Sequence, residues 1–247
     1  MLLENELARS AAACFVDDAM EITVTRLDVG PETVRSLAAS LSDAERQRAK
    51  RFALDRDCRR FMVARGRLRE LLATRLGVRP EAVELMYGRR GKPALAPHFA
   101  DSGWRFNVSH CGEMAAYAFA RGREIGVDIE AVRTLRDSDS IAARFFSRRE
   151  NAAYQALPPA EKDVGFFNCW TRKEAFIKAL GDGLYHPLDR FDVSLTPGEP
   201  TRILRVEGMP GDECGWRLES FVPAAGYVGA VVTETHPPQL PSRQQRA

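Results

Sequence analysis

Gly126-Val127-Asp128-Ile129-Glu130 reads as an apolar strand whose end carries two acids two positions apart. A strand repeats every two residues, so both carboxylates fall on one face. Two like charges this close repel. They face either solvent beside a lysine or arginine, or a hard cation of the kind held by one or two carboxylates with substrate phosphate oxygens and water. About 40 residues on, Trp170-Thr171-Arg172-Lys173-Glu174-Ala175-Phe176-Ile177-Lys178 reads as a helix. Four-residue steps put Trp170, Glu174 and Lys178 on one side of it. That side is either an amphipathic surface with an i,i+4 ion pair or part of a cleft. Gly181-Asp182-Gly183 follows at once, and such a tight turn predicts an approachable cleft near Lys178.

Upstream, Met20 to Asp28 alternates as a strand after a loose lead-in over 1–19. Ser42-Asp43-Ala44-Glu45 has the spacing of a capping box, which predicts a helix start near 43. Helical periodicity continues from Asp55 to Leu76, with Phe61, Ala64, Leu68, Leu71 and Leu72 on one stripe, until Gly77 stops it. Short strands are expected at Leu85 to Tyr87, Trp104 to Val108, Ala115 to Ala120 and Ile125 to Ile129. Helices then return over Ile141 to Phe146, Arg148 to Leu157 and Ala160 to Leu180. They are followed by strands at Phe191 to Leu195, Ile203 to Val206, Trp216 to Val222 and Tyr227 to Thr233. Each half thus reads helix first and sheet second. The expectation is an α+β protein of two similar lobes, 1–122 and 123–235, with a frayed tail over 236–247.

The balance of 45% apolar and 28% charged residues is that of a globular protein, which excludes a coiled coil, a collagen or a wholly disordered chain. A net charge of +2 gives no global reason for a nucleic-acid or membrane partner, and no apolar run approaches the roughly 20 residues of a membrane span. The N-terminus lacks the pattern of a secretory signal, so a cytoplasmic location is expected. Five scattered cysteines without a CxxC pair, and four scattered histidines, argue against a disulfide framework or a soft-metal centre.

Locally the charge is uneven. Between Arg46 and Arg75 stand 11 basic and three acidic side chains, a surface suited to phosphate groups or an acidic protein. Binding of nucleic acid through this helix would be salt-sensitive, but Phe52 and Phe61 are its only stacking rings and both fit a buried stripe better. Phe106-Asn107-Val108-Ser109-His110 ends a strand with three polar side chains, and His110 is either structural or a donor to phosphate.

Together, Gly91-Lys92-Pro93, Phe106-Asn107-Val108-Ser109-His110, Gly126-Val127-Asp128-Ile129-Glu130 and the helix from Trp170 to Lys178 resemble the Sfp-type 4′-phosphopantetheinyl transferases in order and separation. The similarity extends over about 20–233. It implies a pseudo-dimer of two α+β lobes with coenzyme A between them. The implied reaction moves the 4′-phosphopantetheine arm of coenzyme A to a serine of an apo acyl or peptidyl carrier protein, releasing adenosine 3′,5′-bisphosphate. It further implies that Asp128, Glu130 and Glu174 hold Mg²⁺, with Mn²⁺ the alternative. Glu174 is a candidate base, and Lys178 sits on the pyrophosphate. Arg48, Arg60, Lys92, Ser109 and His110 then surround the 3′-phosphate and pyrophosphate. Ile141-Ala142-Ala143-Arg144-Phe145-Phe146-Ser147 resembles the segment that receives the carrier, its two phenylalanines being either surface or core. Since two lobes already mimic a dimer, a monomer is expected. The carrier could serve fatty acid, polyketide or nonribosomal peptide assembly. The competing reading is a non-catalytic coenzyme A-binding or nucleotide-binding regulatory protein of the same fold.

Overall fold

The structure, a computed structural model, describes residues 11–16, 20–88, 91–181, 187–208 and 215–235. The first lobe runs β1 (Ala11–Val16), β2 (Met20–Arg26), α1 (Pro31–Ala39), α2 (Asp43–Ala49), α3 (Asp55–Leu76), β3 (Leu85–Tyr87), β4 (Pro93–Leu95), β5 (Trp104–Cys111) and β6 (Met114–Arg121). The second runs β7 (Ile125–Ala131), α4 (Ser138–Phe145), α5 (Arg148–Gln155), α6 (Lys162–Leu180), β8 (Phe191–Val193), β9 (Ile203–Val206), β10 (Trp216–Phe221) and β11 (Tyr227–Glu234).

The main sheets are antiparallel, in the orders β1-β2-β6-β5 and β10-β11-β7. Without β1 the first reads β2-β6-β5 and the second β7-β11-β10. In both, the opening strand lies beside the closing one, and among the described residues three α-helices intervene with the longest last. The two-lobed α+β architecture is therefore present, but each lobe opens on a strand, which corrects the helix-first order. The lead-in is corrected as well: β1 pairs with β2 from Ala11↔Thr25 to Val16↔Glu21 around a bulge between Ala13 and Phe15. The expected helix from 43 onward is interrupted, α2 ending at Ala49 and α3 beginning at Asp55.

Strand β6 shows how the lobes meet. Its residues are buried on both faces up to Ala120. Ala115, Tyr117 and Phe119 pack with α3 residues such as Leu68 and Leu72. Met114, Ala116, Ala118 and Ala120 join Ile125, Val127 and Ile129 of β7 in a core between the sheets. A strand covered on both sides loses the polar alternation of a half-exposed one, which is why this stretch reads as an unbroken apolar run. Its small alanines let the sheets approach closely.

In the second lobe, α6 is fixed by a buried ion pair. Lys173 donates to Glu150 Oε1 at 2.7 Å and to the Phe191 carbonyl at 2.7 Å, both side chains being 1% exposed. Glu150 also accepts from the Val193 amide and, within a capping box, from the Ser147 amide, each at 2.8 Å. The Lys173 ammonium also lies 4.1 Å from the centre of the Phe191 ring, so the buried charges are well compensated. The pair ties α5, α6 and β8 together and leaves the opposite side of α6 to face β7.

Candidate functional site

The site forms where the C-terminal half of α6 lies on β7. A Cβ on Gly126 would stand 2.1 Å from the Ala175 carbonyl oxygen and 2.3 Å from the Ala179 amide nitrogen, so only glycine admits this approach. It brings Glu174 and Lys178 of α6 beside the acids of β7.

On its other side β7 meets β5 through side chains. The amides of Val127, Ile129 and Ala131 donate to Asn107 Oδ1 (2.9 Å), Ser109 Oγ (3.4 Å) and Cys111 Sγ (3.4 Å). Alternate residues of one strand thus satisfy alternate amides of the other, as the shared period of two allows. Asn107 and Ser109 are structural rungs as well as polar groups, a role that reading β5 alone does not reveal. Ser109 donates to Asp128 Oδ1 at 2.8 Å, and the Lys178 ammonium reaches Asp128 Oδ1 at 2.6 Å, Ser109 Oγ at 3.2 Å and the Val127 carbonyl at 3.3 Å. Four of the expected site residues, Ser109, Asp128, Glu174 and Lys178, therefore share one locality.

The carboxylates act on one another. Burial raises Asp128 above the usual carboxylate range, with the Glu130 charge adding to this while Lys178 and Ser109 pull it down. Burial also raises Glu174; Lys178 opposes that, and the negative charges of Asp128 and Glu130 reinforce it. Asp128 Oδ2 is buried without a hydrogen-bond partner among the described residues, and the Glu174 carboxylate makes no hydrogen bond among them. Glu130 accepts from Arg133 and from the Cys111 thiol, each at 3.2 Å. Hard oxygen donors with spare lone pairs and mutual repulsion suit Mg²⁺. Among the described residues, however, no three His, Cys, Asp or Glu side chains stand at ligand spacing. Asp128 and Glu130 are turned toward Lys178 and Arg133, the cations at hand.

Beside this locality lies a cavity of about 440 Å³, walled by α2, α3, Pro93 and the end of β5. Arg48, Arg60, Arg65 and His110 line it together with Phe52, Phe61 and Leu68. It adjoins the carboxylates rather than containing them. Arg48 is exposed and lies 5.5 Å from the centre of the Phe61 ring. Arg60 already makes a two-pronged pair with Asp28 at 2.7 and 2.5 Å, so an anion there must share it. Loss of hydration against the wall lowers the His110 pKa although the residue is exposed, and the positive charges of Lys178, Arg65 and Arg48 push the same way.

Arg65 is the site residue that sequence reading passed over. Its Nη1 is buried without a hydrogen-bond partner among the described residues, while Nε lies 3.6 Å from Glu45. The signal was helical register: Asp57, Arg60, Phe61, Ala64, Arg65 and Leu68 of the wall follow three- and four-residue steps on α3. Phe61 is accordingly cavity wall rather than buried stripe. Lys92, expected at a phosphate, donates to the Lys178 carbonyl at 2.7 Å. In the segment resembling a carrier-receiving surface, Phe146 is buried core, and Phe145 packs edge-on against Trp170 at 5.9 Å. Trp170 itself packs on Phe166. The expectations for Asp182, Gly183 and the 236–247 tail lie outside the described residues.

Residues 124–232 match the 4′-phosphopantetheinyl transferase superfamily, and residues 30–121 match the family described as 4′-phosphopantetheinyl transferase, N-terminal. The chain is 38% identical over 231 residues to the 4′-phosphopantetheinyl transferase HetI of Nostoc sp., covering 94% of each. It is 32% identical to the 4′-phosphopantetheinyl transferase Sfp of Bacillus subtilis, covering 80% of this chain and 83% of the relative. It is 28% identical to the L-aminoadipate-semialdehyde dehydrogenase-phosphopantetheinyl transferase of Homo sapiens, covering 64% and 54%. The chain belongs to the 4′-phosphopantetheinyl transferase family.

Proposed function

We propose that this enzyme transfers the 4′-phosphopantetheine arm of coenzyme A to a serine hydroxyl of an apo acyl or peptidyl carrier protein and releases adenosine 3′,5′-bisphosphate. The serine oxygen forms a bond to the phosphorus that bears the pantetheine, the bond from that phosphorus to the bridging oxygen breaks, and the serine proton leaves to a base. The single observation that carries this reading is the Asp128–Lys178–Ser109 network, whose acid and serine are buried while the lysine reaches solvent, with Glu174 half-buried beside it and an arginine-lined cavity next to it.

Little covalent work falls to the protein in phosphoryl transfer, so positioning and charge carry the rate. Arg48, Arg60, Arg65 and His110 are assigned to the phosphates of coenzyme A, where guanidinium forks match phosphate oxygens. Asp128, Glu130 and Glu174 are assigned to Mg²⁺, with Mn²⁺ the alternative. When bound, the metal would supply Lewis-acid neutralisation of the pyrophosphate. Lys178 is assigned to steady charge on the leaving nucleotide. Glu174, held above the usual carboxylate range by burial, is the candidate acceptor of the serine proton. We assign residues 1–122 to coenzyme A, and 123–235 to the metal and the carrier.

A second reading, a regulatory binder without turnover, gives no reason to gather three mutually repelling acids. The test is mass spectrometry of an apo carrier panel incubated with the protein, coenzyme A and Mg²⁺. Gain of the phosphopantetheine mass is the expected result, and unmodified carriers across the panel would refute the assignment. No helix among the described residues is long and apolar enough to cross a membrane. A cytoplasmic location and a monomeric state complete the proposal.

A further inference from the structure

The β3–β4 hairpin sends one side chain across the lobe boundary. The Lys92 ammonium donates to the Lys178 carbonyl at 2.7 Å and to the Ile125 carbonyl at 3.4 Å, and lies 3.7 Å from Glu124. The first acceptor is in the last turn of α6 and the second begins β7. The Lys178 carbonyl also accepts from the capping Gly181 amide at 3.3 Å, and as a last-turn carbonyl it carries partial negative charge and a second lone pair, so an ammonium is matched to this place. The Lys92 backbone is itself anchored, its carbonyl accepting from the Gly88 amide at 3.0 Å. Lys178 is therefore held at both ends, its carbonyl by Lys92 and its ammonium by Asp128 and Ser109.

We infer that Lys92 is a positioning residue: it clamps the last turn of α6 to the first lobe and so sets where the Lys178 ammonium stands. This rests on the transferase reading for its catalytic consequence, although the clamp itself does not. Loss of hydration lowers the Lys92 pKa and the Arg105 charge pushes the same way, while Glu124 opposes them.

Two measurements decide it. Hydrogen exchange needs no substrate: in Lys92→Met, faster exchange confined to the last turn of α6 and the start of β7 is expected, and an unchanged pattern would overturn the clamp. Steady-state kinetics with an apo carrier should show kcat lowered about tenfold or more with KM for coenzyme A within about twofold of wild type. In the Lys178→Ala background the same substitution should add little further loss, because its effect passes through Lys178. A raised KM with kcat retained, or a full additional loss beyond Lys178→Ala, would instead make Lys92 a substrate ligand. Lys92→Arg, which keeps a cationic donor, should restore most of kcat. Lys92→Gln, too short to reach α6, answers the same question if the methionine variant misfolds. Should wild type leave the carrier unmodified, the function reading falls alone, since the exchange measurement still decides the clamp.

Discussion

The Lys178 ammonium stands 2.6 Å from Asp128 Oδ1, joining a strand and a helix that are 50 residues apart in the chain. The carboxylate is largely buried, while a quarter of the lysine side chain reaches solvent. One end of the pair is thus fixed and the other is available to a ligand. Asp128→Asn should keep the fold, since the amide can still accept from Ser109, and should lower transfer on the order of a hundredfold.

Glu174 is half-buried and makes no hydrogen bond among the described residues, so its removal strands no partner. Glu174→Gln should lower kcat by roughly 10²–10⁴ with a thermal midpoint close to wild type. Chelation of divalent ions should likewise stop transfer, with recovery on adding Mg²⁺. Full activity in chelated buffer would remove the metal assignment while leaving the fold untouched.

Gly126→Ala places a methyl group into the backbone of α6, where 2.1 Å separates it from an oxygen. Neither neighbour is the flexible end of a side chain. Urea denaturation should show a loss of about 1–3 kcal/mol or more, the range of overpacked cores. Activity should fall even at temperatures where the variant is folded, because α6 must move off β7.

Arg65 offers a buried, unpartnered nitrogen to the cavity wall. If that donor meets a phosphate, Arg65→Ala raises KM for coenzyme A about tenfold or more, the size of a lost charge-assisted hydrogen bond, and spares kcat for saturating substrate. Isothermal titration of coenzyme A without carrier checks the same loss at the level of binding.

Acid stability has a distinct source. Burial works to raise the Asp192 carboxyl, but hydrogen bonds from Arg205 and Ser147, with the charges of Arg205 and Lys173, overcome it and hold the group below its ordinary value. A carboxylate lowered by folding contributes stability that is present above its unfolded pKa of about 3.9 and lost as pH falls through the lower folded value. Urea midpoints should therefore drop below about pH 4. Asp192→Asn should be less stable than wild type at neutral pH, with a shallower decline on the acid side.

Periodicity was a sound guide where one face of an element is buried. The Ser42 to Glu45 capping box, the Gly77 stop and most strands lie where local chemistry puts them. Helix α1 escaped notice although proline opens it and Glu32 follows in its first turn. Strand β1 escaped because Ala11-Ala12-Ala13 has no alternation and its place comes from main-chain pairing with β2. Asp128, Glu174 and Lys178 were legible as a set because strand and helix spacing each place them on a defined face. The partners of Ser109, Lys92 and Arg60 were not, since each is supplied by a distant segment: Ile129, Lys178 and Asp28. Phosphate-binding residue types can equally serve as internal struts, and only the packed chain distinguishes the two.

The alternating contacts of Asn107, Ser109 and Cys111 with β7 make the protein intolerant of length changes inside that strand. Inserting one amino acid between Val127 and Asp128 would swing the Asp128 side chain toward the opposite surface and break the match between alternate amides and their acceptors. The same insertion in the turn 122–124, or at 196–200, lengthens a loop and leaves that registration to the strands themselves. Strand length at this seam is thus under chemical as well as architectural constraint.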